Sequence, residues 1–233
     1  MKILFISTLY PSSLSPTEAA YNRQLICAIA EKVQEVSDYA KASKDRQEVE
    51  EEKKDFAQRR PCTSAEARCR VDALRGGETG LSSVSASSAS LRETDLSNHS
   101  HNVRVIAPVY WLPGRRLPSK EEVIDGIKVT HPRVYYTPGI LRNKHWKMYQ
   151  CSIKKHLKAT LDDFKPDHVI IGFAYPDAVA VAPLCREWGV KYSVRVNGSD
   201  FRLRVKQPGF REMVLNELNR APRVFCPAQK GSK

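Results

Sequence analysis

Short apolar runs alternate along the chain with longer stretches whose apolar residues recur at helical spacing. Residues 2–7 (KILFIS) show no period-two alternation, the pattern of a strand buried on both faces and set in the middle of a sheet. A loop crowded with Ser and Pro follows over 8–16, and Thr17 is the expected N-cap of a helix with Ala20, Leu25, Ala28 and Ile29 on one face. Residues 102–109 (NVRVIAPV) predict a second buried strand. After a basic loop punctuated by Pro and Gly over 111–123, Asp125-Gly126 between the β-prone arms of 123–136 predicts a hairpin. Residues 144–164 predict a helix with Trp146, Tyr149, Ile153, Leu157, Leu161 and Phe164 along one face, stopped by Lys165-Pro166-Asp167. Residues 168–174 (HVIIGFA) read as a strand, and Tyr175-Pro176-Asp177 opens a helix that Gly189 ends. A strand over 191–196, a helix after Pro208 and a last strand over 223–227 complete the pattern.

Apolar strands alternating with helices imply an α/β fold, a doubly wound parallel sheet with right-handed crossovers and at least five parallel strands. Residues 32–100 interrupt that order. They begin with a charged, helix-permissive run (VEEEKKDFAQRR) and continue into a Ser-rich stretch with few aromatics, a low-complexity insertion expected to be part helical and part disordered. With it removed, Ala30 runs almost directly into the strand at 102, so the expected domain comprises 1–31 and 101–233, and 32–100 is expected to be dispensable for folding. Gly76–Gly80 (GGETG) follows no strand and opens no apolar helix, so it is not a phosphate loop.

At 233 residues and 41% hydrophobic composition, the chain can bury a substantial core. No run approaches the roughly 18 apolar residues of a membrane span, and residues 1–7 lead into a polar loop instead of a cleavage site, so the chain is expected in the cytoplasm. Six cysteines without a CxxC pair favour reduced thiols over disulfides or zinc. The net charge of +12 is uneven: residues 32–100 hold 12 Lys and Arg against 13 Asp and Glu, leaving 26 against 13 elsewhere. That basic excess suits nucleic acid, anionic lipid or phosphorylated substrates. Lys147, Lys154, Lys155 and Lys158, off the apolar face of the 144–164 helix, are either a solvated face or an interfacial contact with an anionic membrane at its inner surface.

In open parallel sheets, ligands bind beyond the carboxyl ends of strands, where helix N-termini direct free N–H groups at anions. The loop over 8–17 is therefore the first site candidate, and Asn197-Gly198-Ser199-Asp200, a polar turn closing the 191–196 strand, is the second.

Together MKILFISTLYPSSLSP, NVRVIAPV, DGIKVTHPR, KPDHVIIGFAYPDA and VKYSVRVNGSDF resemble the amino-terminal domain of a glycosyltransferase of family 4, one Rossmann-like half of the GT-B architecture. The resemblance covers nearly everything outside 32–100. It implies transfer of a sugar from a nucleotide-sugar donor to a sugar or lipid-linked acceptor, with retained anomeric configuration and no required metal or other cofactor. The acceptor would lie on this domain, and the donor on a second domain with paired glutamates beyond Lys233, so this chain alone is expected to be inactive. Thr8, Ser12, Ser13, Asp177, Asn197, Gly198, Ser199 and Asp200 are the expected acceptor contacts. Arg195, Arg202, Arg204 and Lys206 are candidates to face the donor pyrophosphate. Two departures stand out: Glu18-Ala19-Ala20 occupies a loop that is usually Gly-rich in the family, and Asn197-Gly198 replaces a His-Gly turn. Two other classes compete: a non-catalytic nucleotide- or sugar-binding domain, and a basic nucleic-acid binder, which lacks a recognisable reading motif.

Overall fold

Strand β1 (Ile3–Ile6) is buried along its whole length in the computed structural model, which describes residues 1–58, 102–135, 144–197, 206 and 209–226. It pairs in parallel with β2 (Val103–Ile106) on one side and β7 (His168–Ile171) on the other. Outward from β2 come β5 (Ile127–Thr130), parallel, and β4 (Glu121–Ile124), antiparallel; outward from β7 come β8 (Tyr192–Arg195) and β9 (Val224–Phe225), both parallel. Among the described residues the sheet is thus mixed but mostly parallel. Numbered by their order in the chain, its six parallel strands stand 3-2-1-4-5-6, compatible with a Rossmann-like fold. The chain divides into two units, Met1–Glu35 with Glu93–Lys233, and Val36–Arg92.

The alternation of side chains along β1 separates two cores. Ile3 and Phe5 pack with Val103 and Val105 under Ile26, Ala30 and Val33 of helix α1 (Ala20–Gln58). Leu4 and Ile6 pack with Val169 and Ile171 on the other face, under α2 (His145–Phe164), α3 (Val179–Glu187) and α4 (Phe210–Arg220). Helices therefore cover both faces, and β1 supplies the middle of each core.

The α2 face is the expected one, with Tyr149, Ile153, Leu157, Leu161 and Phe164 buried and Trp146 packed at its edge. Lys165 ends it in the left-handed region at φ 49°, its N–H donating to the Leu161 carbonyl. On the basic face Lys154 pairs with Glu187 and Lys158 with Asp162, so counter-charge accompanies two of the four lysines. The hairpin also forms as expected: Asp125 and Gly126 both have positive φ, 53° and 74°, which a two-residue turn with the right twist requires.

Helix α1 departs from expectation. It begins at Ala20, not after a cap at Thr17, and its buried stripe is Asn22, Ile26, Ala30 and Val33, while Ala20 and Ala28 are exposed. The stripe is displaced because a polar residue, Asn22, anchors its first turn, and hydrophobic periodicity cannot register a polar anchor. The helix also runs through the expected boundary at 32, carrying Val33 into the core and Gln34 to Asn102, whose amide donates across 3.4 Å. The remainder of the expected insertion, residues 59–100, lies outside the described residues. A second, two-stranded parallel sheet of β3 (Val109–Trp111) and β6 (Arg133–Tyr135) was not predicted, since three-residue strands are too short to show a period. Strand β9 is reduced to two exposed residues. Among the described residues, Cys27, Cys151, Cys185 and Cys226 are free thiols, and no helix is long and apolar enough to cross a membrane.

Candidate functional site

Beyond Ile6 the alternation of β1 continues, but its side chains become polar. Ser7, fully buried, donates from Oγ to the Leu9 carbonyl at 2.9 Å and accepts from Asn22 Nδ2 at 3.2 Å. Asn22 also donates to Leu9 O at 2.6 Å, and its Oδ1 accepts from Arg195 Nη1 at 2.7 Å. The guanidinium of Arg195, at the carboxyl end of β8, lies 5.5 Å from the Tyr21 ring centroid, and Asn197 Nδ2 approaches the Tyr21 hydroxyl at 3.5 Å. Burial pulls the Arg195 guanidinium below its ordinary value. Among the described residues Arg195 has no carboxylate within ion-pair distance, so a half-buried positive charge rests on neutral partners beside the first turn of α1. Gly172 closes this corner. Its N–H donates to Ile6 O at 2.7 Å, and a Cβ there would stand 2.8 Å from both Cβ and Oγ of Ser7.

Thr8 faces the other way. Its N–H donates to Asp177 Oδ2 at 2.9 Å, its Oγ1 donates to Oδ1, and Tyr149 OH donates to the same oxygen at 2.8 Å. Asp177 sits in the turn Ala174–Ala178 between β7 and α3, closed by the Ala178 N–H donating to the Phe173 carbonyl at 3.0 Å, and it has no exposed surface. Burial pushes its carboxyl up to about 6, against the downward pull of the Thr8 and Tyr149 hydrogen bonds. Burial, with the negative charge of Asp177, likewise raises the Tyr149 hydroxyl. Asp177 was expected to touch an acceptor directly. Enclosed and already accepting three hydrogen bonds, it instead orients Thr8, which is half-buried.

A third cluster lies on the β2 side of β1. Ser12 and Ser15 form an isolated antiparallel bridge, and Ser13 is committed to Glu122, donating from N at 3.0 Å and from Oγ at 2.7 Å. Burial raises the Glu122 carboxyl, but the Ser13 hydrogen bonds, the nearby His131 and the Ser119 N–H outweigh it and hold the group below its ordinary range. Thr8, Tyr10, Ser12, Arg115 and His131 line a cavity of about 120 Å³ here.

The structure thus gathers Thr8, Ser12, Ser13, Asp177, Arg195 and Asn197 around the carboxyl ends of the central strands. Gly198, Ser199, Asp200, Arg202 and Arg204 lie outside the described residues, and Lys206 is exposed. Sequence reasoning passed over Tyr10, Asn22, Glu122, His131 and Tyr149. His131 carries one usable signal: it directly follows β5, at the carboxyl end of a parallel strand, but its segment reads first as a hairpin arm. Among the described residues no three His, Cys, Asp or Glu side chains group closely enough to hold a metal ion. No protein-family model matches the chain, and no curated protein is significantly similar to it.

Proposed function

We propose that the chain forms the acceptor side of a sugar-transfer cleft, the Rossmann-like amino-terminal half of a retaining glycosyltransferase of family 4 that uses a nucleotide-sugar donor. The observation that carries this reading is the company Arg195 keeps: a half-buried guanidinium, bonded to neutral Asn22 and set beside hydroxyl and amide groups, at the carboxyl end of β8, one strand from the switch between β1 and β7. Neutral hydroxyls and amides suit the hydroxyls of a sugar or polyol, which need both donors and acceptors. A guanidinium whose partners among the described residues are all neutral suits the charge of a leaving diphosphate, which it would stabilise as the glycosidic bond breaks. Both demands meet beyond the carboxyl ends of parallel strands, where open sheets bind ligands. The sheet supplies one wall; holding donor and acceptor together, worth about 7–11 kcal/mol in well-oriented systems, requires the facing wall as well.

Saturation-transfer NMR on the purified chain with nucleotide-sugars, free polyols and oligonucleotides tests the reading. Nucleoside diphosphate groups should receive saturation, and Arg195→Ala should weaken that binding by about 10-fold or more, the worth of a charge-assisted bond. Nucleotide release from the sugars should stay at background. Tight oligonucleotide binding with a steep salt dependence would favour the nucleic-acid class. Turnover by this chain alone would show that the division of labour is wrong.

A further inference from the structure

We propose that the cavity on the β2 side of β1 is a site for one phosphate group, held by the Arg115 and Arg116 guanidinia and the Ser12 and Ser15 hydroxyls. The inference rests on the acceptor-side reading for assigning that phosphate to the acceptor, though not for its binding.

All four residues belong to the cavity lining. Both arginines are exposed, and neither guanidinium has a hydrogen-bond or ion-pair partner among the described residues. Their charge is unanswered, whereas Arg23, Arg104 and Arg186 each meet a carboxylate. The serines are half-buried, and the bridge that joins them uses backbone N–H and carbonyl groups. Ser12 Oγ accepts from Ser15 N at 3.2 Å and gives its own hydrogen to no described group, and Ser15 Oγ bonds none of them. Two guanidinium forks and two hydroxyls therefore border one cavity with N–H and O–H donors to spare.

Charge sets the sign of the ligand. Glu18 brings one negative charge to the lining against the two guanidinia. His131, also in the lining, has Nδ1 3.0 Å from the Ala107 carbonyl oxygen and Nε2 3.8 Å from the Glu122 carboxylate, so any positive charge it carries is balanced there. The Glu122 carboxylate is itself held by donors from Ser13 and Ser119. The excess is thus the arginines' own, and it favours an anion. A carboxylate offers about four lone-pair sites, fewer than two forks and two hydroxyls can fill, whereas a phosphate monoester presents three strong acceptor oxygens. Size agrees: about 120 Å³ is about four times the share of liquid volume of one water, room for a single tetrahedral anion and not for a nucleotide.

The test titrates inorganic phosphate, glycerol phosphate, acetate and glycerol into the isotope-labelled chain and follows the Ser12 and Ser15 amides and the arginine Nε–H groups by NMR. Both phosphates should shift these resonances saturably, and acetate and glycerol should bind about 10-fold more weakly or worse. Arg115→Ala and Arg116→Ala should each lower phosphate affinity about 10-fold, the worth of a charge-assisted bond. Arg115→Lys and Arg116→Lys should recover only part of it, because lysine restores the charge but not the fork. Both side chains are exposed, so their loss leaves the core intact. Co-sedimentation with phosphatidic acid vesicles that glycerol phosphate displaces would assign the phosphate to a lipid, and its absence to a soluble ester. No saturable shift, a shift undiminished in the double alanine variant, or acetate bound as tightly as phosphate overturns the proposal. Absence of phosphate binding here with Arg195-dependent diphosphate binding intact would overturn this inference alone; the reverse pattern would overturn the sugar-transfer reading alone.

Discussion

Replacing Asp177 with Asn should stabilise the protein at neutral pH and leave it little changed in acid. Asp177 is fully enclosed, and its carboxyl titrates at about 6 instead of 3.8 because burial disfavours the charge more than three donated hydrogen bonds favour it. Between those two values the folded protein binds a proton that the unfolded chain has released. For a raised acid the stabilising contribution is complete below the unfolded value and is lost as pH rises through the folded one. Between pH 4 and pH 7 the loss from this one group amounts to about 2 kcal/mol. Asparagine is neutral throughout and nearly the same shape. Its carbonyl can accept from Thr8 N–H, and its amide can donate to the Thr8 and Tyr149 hydroxyls, which turn from donors to acceptors.

Urea unfolding of both proteins, followed by circular dichroism at pH 4 and pH 7, measures the difference. Glu122 and Asp125, both held below their ordinary values, lose stability in the opposite direction as pH falls, but equally in the two proteins, so they cancel. The Asn variant should gain about 2 kcal/mol on the wild type between the two pH values. Stability curves that stay parallel would refute the claim that Asp177 titrates near 6 in the folded state.

Two further outcomes follow from the packing. Gly172→Ala would drive a methyl into Ser7, whose Cβ and Oγ are 2.8 Å from the new atom, and should cost about 1–3 kcal/mol in urea unfolding; an unchanged midpoint would mean that β1 and β7 are not so close. Val33→Ala should cost about 1–3 kcal/mol because Val33 lies in the α1 core, whereas Val36→Ala, at an exposed position, should change stability by less than about 0.5 kcal/mol. Equal effects at both positions would move the edge of the folded unit away from Glu35.

What was legible in the sequence is what apolar periodicity and backbone chemistry encode. Residues 2–7 read as a central strand because no polar residue interrupts them, and the α2 face was visible because five buried residues repeat at helical spacing. The turn at Asp125-Gly126 declared itself through residues that tolerate positive φ. The site was legible only as a location, the ends of strands. Its chemistry depends on partners distant in sequence: Asn22 with Arg195, Thr8 with Asp177, Ser13 with Glu122. A buried Asn in a helix looks like a break in an apolar stripe until its partners are known, and for that reason the α1 stripe was assigned one step away from where it lies. His131 was hidden differently, since a hairpin reading of 123–136 does not reveal that the second arm joins the main sheet in parallel beside β2.

Ser7 and Thr8 show why these clusters belong to one site. Along β1 the odd residues Ile3 and Phe5 enter the α1 core and the even residues Leu4 and Ile6 enter the α2 core. The same alternation, continued two residues further, sends Ser7 toward Asn22 and Arg195 and Thr8 toward Asp177 and Tyr149. A one-residue slip of β1 would exchange the two hydroxyls as well as the two cores, so the apolar pattern that sets the register of the sheet also sets the polar pairing of the site. Gly172 holds that register from the side, because only a residue without a side chain lets the end of β7 pass Ser7 at this distance. Arg195, reached from Ser7 through Asn22, and Asp177, bonded directly to Thr8, are therefore tied to adjacent residues just past one buried strand, on opposite sides of the sheet.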